Sequence, residues 1–232
     1  MTKPSGAKQG VKSAALFSDW AILDANTTLT LPKGPTAFSG VDAMVHAIEA
    51  YTNRFLKNDL SDHLARKALD VLSKNIKTAT FHANDETARG QMLLGSLYAG
   101  MSFANSPTGA VHGLALPVGA YFGVPHGLSN SLMLPRVLEF NAPVASKMYA
   151  EIAPICFPNI EGGTDSQKVD KFIDEVRSLS KSLELPSELK QVGIQTKDCD
   201  FLAQEAMKVY VTTNNIREVT VDDARQMYAD IV

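Results

Sequence analysis

The 232-residue chain carries 25 acidic and 22 basic residues, a net charge of -3, and is 45% hydrophobic. A near-neutral, slightly acidic balance with scattered Lys and Arg offers no electrostatic field for a nucleic acid or an anionic membrane. Its two cysteines, Cys156 and Cys199, stand far apart and make neither a disulfide framework nor a zinc ribbon.

The opening MTKPSGAKQG lacks the apolar run of a signal peptide, so the expectation is a cytoplasmic protein. Residues 1–38 read as an irregular leader: AALFSDWAILD holds a short strand-like run, and TTLTLPKGP ends in two prolines that resist helix. From Ser39 helical patterns dominate. Ser39 with Asp42 three positions later resembles a capping box, and Val41, Met44, Val45, Ile48 and Phe55 recur at helical spacing, which predicts a helix over 40–56.

Ser61 opens the next predicted helix, whose inner face is Leu64, Ala68, Leu69, Leu72 and Ile76. A third, over 86–104, is rich in Gly, Ala and Ser and suits close backbone approach at the centre of a bundle. A shorter segment over 127–140 is expected to kink or divide at Pro135. Helices over 165–183, 197–210 and 221–232 follow, the last behind Thr220 with Asp223 three residues on. With no alternating strand blocks between them, the expected class is all-α: a leader over 1–38 and a helical bundle domain over 39–232.

Residues 90–135 contain no Asp, Glu, Lys or Arg, yet His112 and His126 lie within them. Pro107, Pro117, Pro125 and several Gly, Asn and Ser residues make this stretch buried core rather than a membrane span. Elsewhere Asp42 and His46 stand at i, i+4, so both side chains leave one face of a helix a turn apart. Such a pair is often only a cap and a neighbour, and any single buried histidine is usually a satisfied core residue. Taken together, one carboxylate and three imidazoles have a shared explanation in a divalent ion, which engages one nitrogen of each ring and balances the Asp42 charge. Imidazole donors suit zinc or ferrous iron, whereas magnesium and calcium prefer oxygen. His63 and His82 sit among polar neighbours and are assigned to solvent.

GVDAMVHAIEAY, AVHGLALPVGAYFGVPHGLSN and NIREVTVDDARQMY resemble the C-terminal domain of the iron-containing (group III) alcohol dehydrogenases, from about Lys8 to the C-terminus. The resemblance implies a helical domain that binds Fe2+, with Zn2+ as the alternative, through Asp42, His46, His112 and His126. It also implies an N-terminal Rossmann-like domain for NAD(P), and hydride transfer between a small alcohol or aldehyde and the nicotinamide. LFSDWAILDANTTLTLP is similar to the family's crossing from the nucleotide domain. Lys8 matches a position where some members place a lysine near the cofactor, and Phe103 and Asn105 match a segment lining the substrate side.

Two departures qualify the match. The family's GGGS segment and any GxGxxG are absent, so the expectation is a C-terminal portion that lacks its nucleotide-binding half and is inactive alone. Some members also carry a proton-relaying histidine at the position of Leu116. A noncatalytic metal-binding domain, or a relative acting on glycerol or a hydroxy acid, stays open. Homo-oligomerisation is a further expectation.

Overall fold

The computed structural model describes residues 13–232 and is built from eight α-helices joined by short turns, with no strand among the described residues. These are α1 (Lys33–Tyr51), α2 (Asp59–Phe81), α3 (Glu86–Asn105), α4 (Ala110–Phe122), α5 (His126–Cys156), α6 (Asp165–Ser182), α7 (Cys199–Ala206) and α8 (Val221–Ala229). No helix among them is long and apolar enough to cross a membrane.

The central layer is α1, packed between α2 and α3 on one side and α5 on the other. α5 also packs against α4 and α6, and α7 and α8 close the far end. Met44, Ile48, Leu72, Leu114, Met133 and Phe172 are fully buried in one continuous core. Each such side chain contributes about 1.5–3 kcal/mol by leaving water. The small residues of α3 allow the expected close approach: a Cβ at Gly95 would sit 2.6 Å from Leu72 Cγ.

α1 begins at Lys33, not at residue 40. Pro32 is the extended N-cap residue, and Pro35 falls in the first turn, where a helix has no use for the missing N–H. Ser39 is therefore inside the helix and its hydroxyl donates to the Pro35 carbonyl at 2.6 Å, so it caps nothing. The helix stops at Tyr51 because Asn53 Oδ1 accepts from the backbone N–H groups of Phe55 and Leu56, and Phe55 is left exposed. α2 is capped by Asn58, with Ser61 as its reciprocal partner three residues later rather than its opener.

The largest departure is α5, which runs unbroken for 31 residues with Pro135, Pro143 and Pro154 inside it. A proline costs an interior helical hydrogen bond, on the order of 3 kcal/mol. Burial against five other helices (α1, α2, α4, α6 and α8) outweighs that cost here. The region 197–210 is a short α7 flanked by 3₁₀ turns instead of one helix. α3, α6 and α8 keep close to their expected spans, and the capping box of Thr220 and Asp223 is formed.

The described part of the leader is not irregular throughout: it holds two 3₁₀ turns, Ala14–Leu16 and Ala25–Thr28, and the first six residues of α1, while the strand-like run makes no strand. Among the described residues no strand lies beside it to supply the backbone hydrogen bonds, and Trp20 and Ile22 are about nine-tenths exposed, at 88% and 91%.

Candidate metal centre

Three helices deliver the four expected side chains to one point. Asp42 and His46 leave the inner face of α1 one turn apart. His112 is the third residue of α4, and His126 is the first residue of α5. Gly123 ends α4 in the left-handed region, at φ 69°, so the three-residue connection 123–125 reverses the chain and turns His126 back toward His112. Both histidines thus stand at or near helix starts, as their flanking prolines and glycines suggest.

One ligand atom from each of Asp42, His46, His112 and His126 falls within 4.8 Å of the other three. Asp42 Oδ1 lies 3.7 Å from His112 Nε2 and 3.9 Å from His126 Nε2. Four donors at zinc-like bond lengths are separated by about 3.4 Å, so these spacings match a shared ion with little adjustment. The His46 and His112 rings stack with centroids 4.6 Å apart, and His126 tilts against His112 at 5.3 Å. His112 is buried, while His126 keeps about two-fifths of its side chain exposed and forms the open side of the cluster.

Two residues that sequence reasoning missed complete the surroundings. Glu49 lies seven residues after Asp42, on the same face of α1, and is buried. Its Oε2 is 2.6 Å from His112 Nδ1, and its Oε1 accepts from Val111 N–H at 2.6 Å. The second contact satisfies a first-turn N–H of α4 that would otherwise be orphaned. Asn130, four residues after His126 on α5, points its Nδ2 at Asp42 Oδ1 and lies 3.2 Å from both His112 Nε2 and His126 Nε2. Its own Oδ1 is buried without a hydrogen-bond partner.

This chemistry fits a cation. In a neutral His112 that donates from Nδ1 to Glu49, Nε2 faces the cluster as an acceptor, and several acceptors then crowd one amide NH2 that has only two protons. Burial, then the neighbouring His112, pulls the His46 pKa down to about 4, which keeps its ring neutral and available as a donor. Burial opposes a charged His112, but the Glu49 carboxylate, by charge and hydrogen bond, and Asp42 outweigh it and raise its pKa. No lysine or arginine contributes to either shift. One carboxylate and three imidazoles match the donor preference of ferrous iron or zinc over magnesium or calcium.

The other expected residues are distributed less evenly. Phe103 stacks on His46 at 4.5 Å and shields one side of the cluster. Asn105 is exposed at the end of α3, and its amide donates back to Met101 O at 2.8 Å, so it is spent within its own helix. Leu116 is half-buried one turn along α4 from His112. Lys8 lies outside the described residues. His63 and His82 are exposed, as their polar neighbours suggest.

The Fe-containing alcohol dehydrogenase C-terminal family model matches residues 36–232. The chain belongs to that family. It is 34% identical over 208 residues to lactaldehyde reductase of Escherichia coli (strain K12), covering 90% of this chain and 54% of that protein. With the NADPH-dependent butanol dehydrogenase of Clostridium saccharobutylicum it shares 32% over 214 residues, again 90% of this chain and 54% of the relative. Among solved structures, a 1,3-propanediol oxidoreductase superposes with a TM-score of 0.87 at 29% identity, covering 90% of this chain and 55% of that one. An alcohol dehydrogenase from Oenococcus oeni gives 0.86 at 28%, covering 90% and 54%. The chain therefore spans about half the length of these relatives.

Proposed function

We propose that the chain is the metal-binding half of an NAD(P)-dependent oxidoreductase that transfers hydride between a small alcohol or aldehyde and the nicotinamide. Residues 39–232 form its helical metal-binding domain, and 1–38 form the junction to a nucleotide-binding domain outside this chain. Asp42, His46, His112 and His126 hold the ion, ferrous iron by preference with zinc as the alternative. The observation that carries this reading is the convergence of those four side chains from three helices onto one point. An ion so held supplies Lewis-acid polarisation of a substrate oxygen.

The chain's own residues do the rest. Phe103, stacked on His46, excludes water from one side of the cluster, and the exposed edge of His126 marks the side from which a substrate enters. Leu116 offers no proton acceptor, so a proton released there leaves by water, a cofactor hydroxyl or another side chain. Lys8 is assigned to the cofactor, and Phe103 and Asn105 to a segment on the substrate side. A soluble homo-oligomer in the cytoplasm completes the proposal.

Elemental analysis tests it. The purified protein, reconstituted with ferrous ion or zinc, should hold close to one equivalent, and His126→Ala should lose it. Equal metal content in wild type and variant would reject the site. Calorimetry of the isolated chain with NAD or NADP should show no binding, and tight binding would reject the division of labour between this chain and a separate nucleotide domain.

A further inference from the structure

Glu49 is a buried carboxylate that the proposed ligand set leaves unassigned. Its two oxygens have different partners: Oε1 takes the backbone N–H of Val111, and Oε2 takes Nδ1 of His112, each at 2.6 Å. The Val111 contact has one possible direction, because a backbone N–H only donates. The His112 contact then decides the imidazole. An ionised carboxylate only accepts, so Nδ1 of His112 carries the proton, and in the neutral imidazole the lone pair is then on Nε2, which faces Asp42 Oδ1 3.7 Å away. The half-buried Asp42 lies near His112 and His126, the buried Glu49 contacts His112, and neither carboxylate pairs with a lysine or arginine among the described residues, a combined charge that one divalent ion offsets.

Resting on the metal reading above, we propose that Glu49 is a positioning residue for the metal, which fixes the tautomer and ring orientation of His112 so that Nε2 is the ligand atom. Carboxylate partners on the far nitrogen of a ligating histidine orient the ring and raise its basicity, and their loss typically costs about 10- to 100-fold in metal affinity.

Glu49→Gln separates this role from simple support of α4. A glutamine has one acceptor oxygen, and the Val111 N–H claims it, so the start of α4 keeps its hydrogen bond. The amide NH2 is left against His112 Nδ1 and donates to it, which drives the ring to the opposite tautomer with a proton on Nε2. The expected result is a chain with wild-type circular dichroism whose affinity for Co2+ or Zn2+ falls about 10- to 100-fold. Its cobalt absorption spectrum should also change, whereas a purely structural Glu49 would leave both unmoved.

Binding of Co2+ by Glu49→Gln within threefold of wild type would overturn the inference. If Glu49→Gln does not fold, 15N–1H correlation spectra of the zinc-loaded wild type carry the test. A slowly exchanging Nδ1–H on His112 with the metal on Nε2 supports the assignment, and metallation through Nδ1 overturns it. His126→Ala run alongside tells the two readings apart. Loss of metal in His126→Ala but not in Glu49→Gln rejects the role of Glu49 alone. A wild type that takes up neither ion rejects the proposed centre and this inference with it.

Discussion

Gly127 brings the backbone of α5 close to that of α1, and Gly127→Ala should disturb both the fold and the metal centre. An added Cβ would stand 2.5 Å from Phe38 O and 2.8 Å from Phe38 C. A carbon–oxygen contact settles at about 3.3 Å, so the two helices must part by about 0.8 Å. Phe38 belongs to α1, so its carbonyl cannot swing aside as a flexible side chain would. Asp42 lies one turn further along α1 and His126 is the residue before Gly127, so the displacement passes directly into the 3.9 Å gap between Asp42 Oδ1 and His126 Nε2. Overpacking of this kind costs about 1–3 kcal/mol, against a gain in helix propensity of up to about 1 kcal/mol. A net loss of about 1–2 kcal/mol lowers Tm by about 2–8 °C in a chain of this size. Zinc affinity should fall about tenfold or more, since a centre this compact tolerates little displacement of its ligands. Gly100→Ala is the control: no atom lies within 4 Å of its added Cβ, so it should be neutral or stabilise slightly. Thermal melts and zinc competition on both variants decide the matter. A Gly127→Ala protein as stable as Gly100→Ala, with wild-type zinc affinity, would refute the close approach.

Arg89 is buried and donates to Leu31 O, Thr36 Oγ1 and Ala83 O, tying α3 to the start of α1. Arg89→Ala should cost about 3 kcal/mol in urea unfolding and speed amide exchange in the first turn of α1. Stability should also decline at alkaline pH. Burial raises the Cys156 thiol above its ordinary 9.0, and it raises Tyr149 and Tyr228 above 10.0. Burial and the hydrogen bond to Glu151 raise Tyr51 to about 12. For an acid whose folded pKa is raised, the fold favours the neutral form. The contribution is complete below the ordinary value and is lost as pH climbs through the folded one. Urea midpoints should therefore fall from about pH 9 upward, and Tyr51→Phe should flatten the decline between pH 10 and 12.

The four clustered residues were legible because each stood out from its setting. His112 and His126 are the titratable anomalies of a charge-free stretch, and Asp42 with His46 has the spacing of one helical face. Helices α3, α6 and α8 were legible from periodicity and caps. Glu49 was not, since the direction from which α4 would meet α1 is a tertiary fact, although its place seven residues after Asp42 on a buried face was a usable signal. Asn130 carried a similar signal, four residues after His126. Proline misled the reading twice, at the start of α1 and within α5. In the first case its position in the opening turn removes its cost, and in the second the packing of α5 outweighs it.

Asp42, His46 and Glu49 all ride on α1, whereas α4 and α5 bring one of the clustered histidines each. At a radius of about 5–6 Å, a 10° roll of α1 about its axis carries all three side-chain tips about 1 Å in the same sense. A change that rolls α1 therefore shifts two of the four clustered residues and the Glu49 carboxylate at once. Distant core substitutions beneath this helix should then couple strongly to substitutions in the cluster in double-mutant cycles. The apolar contacts of Met44 and Ile48 act in this sense as the bearing on which the metal centre turns.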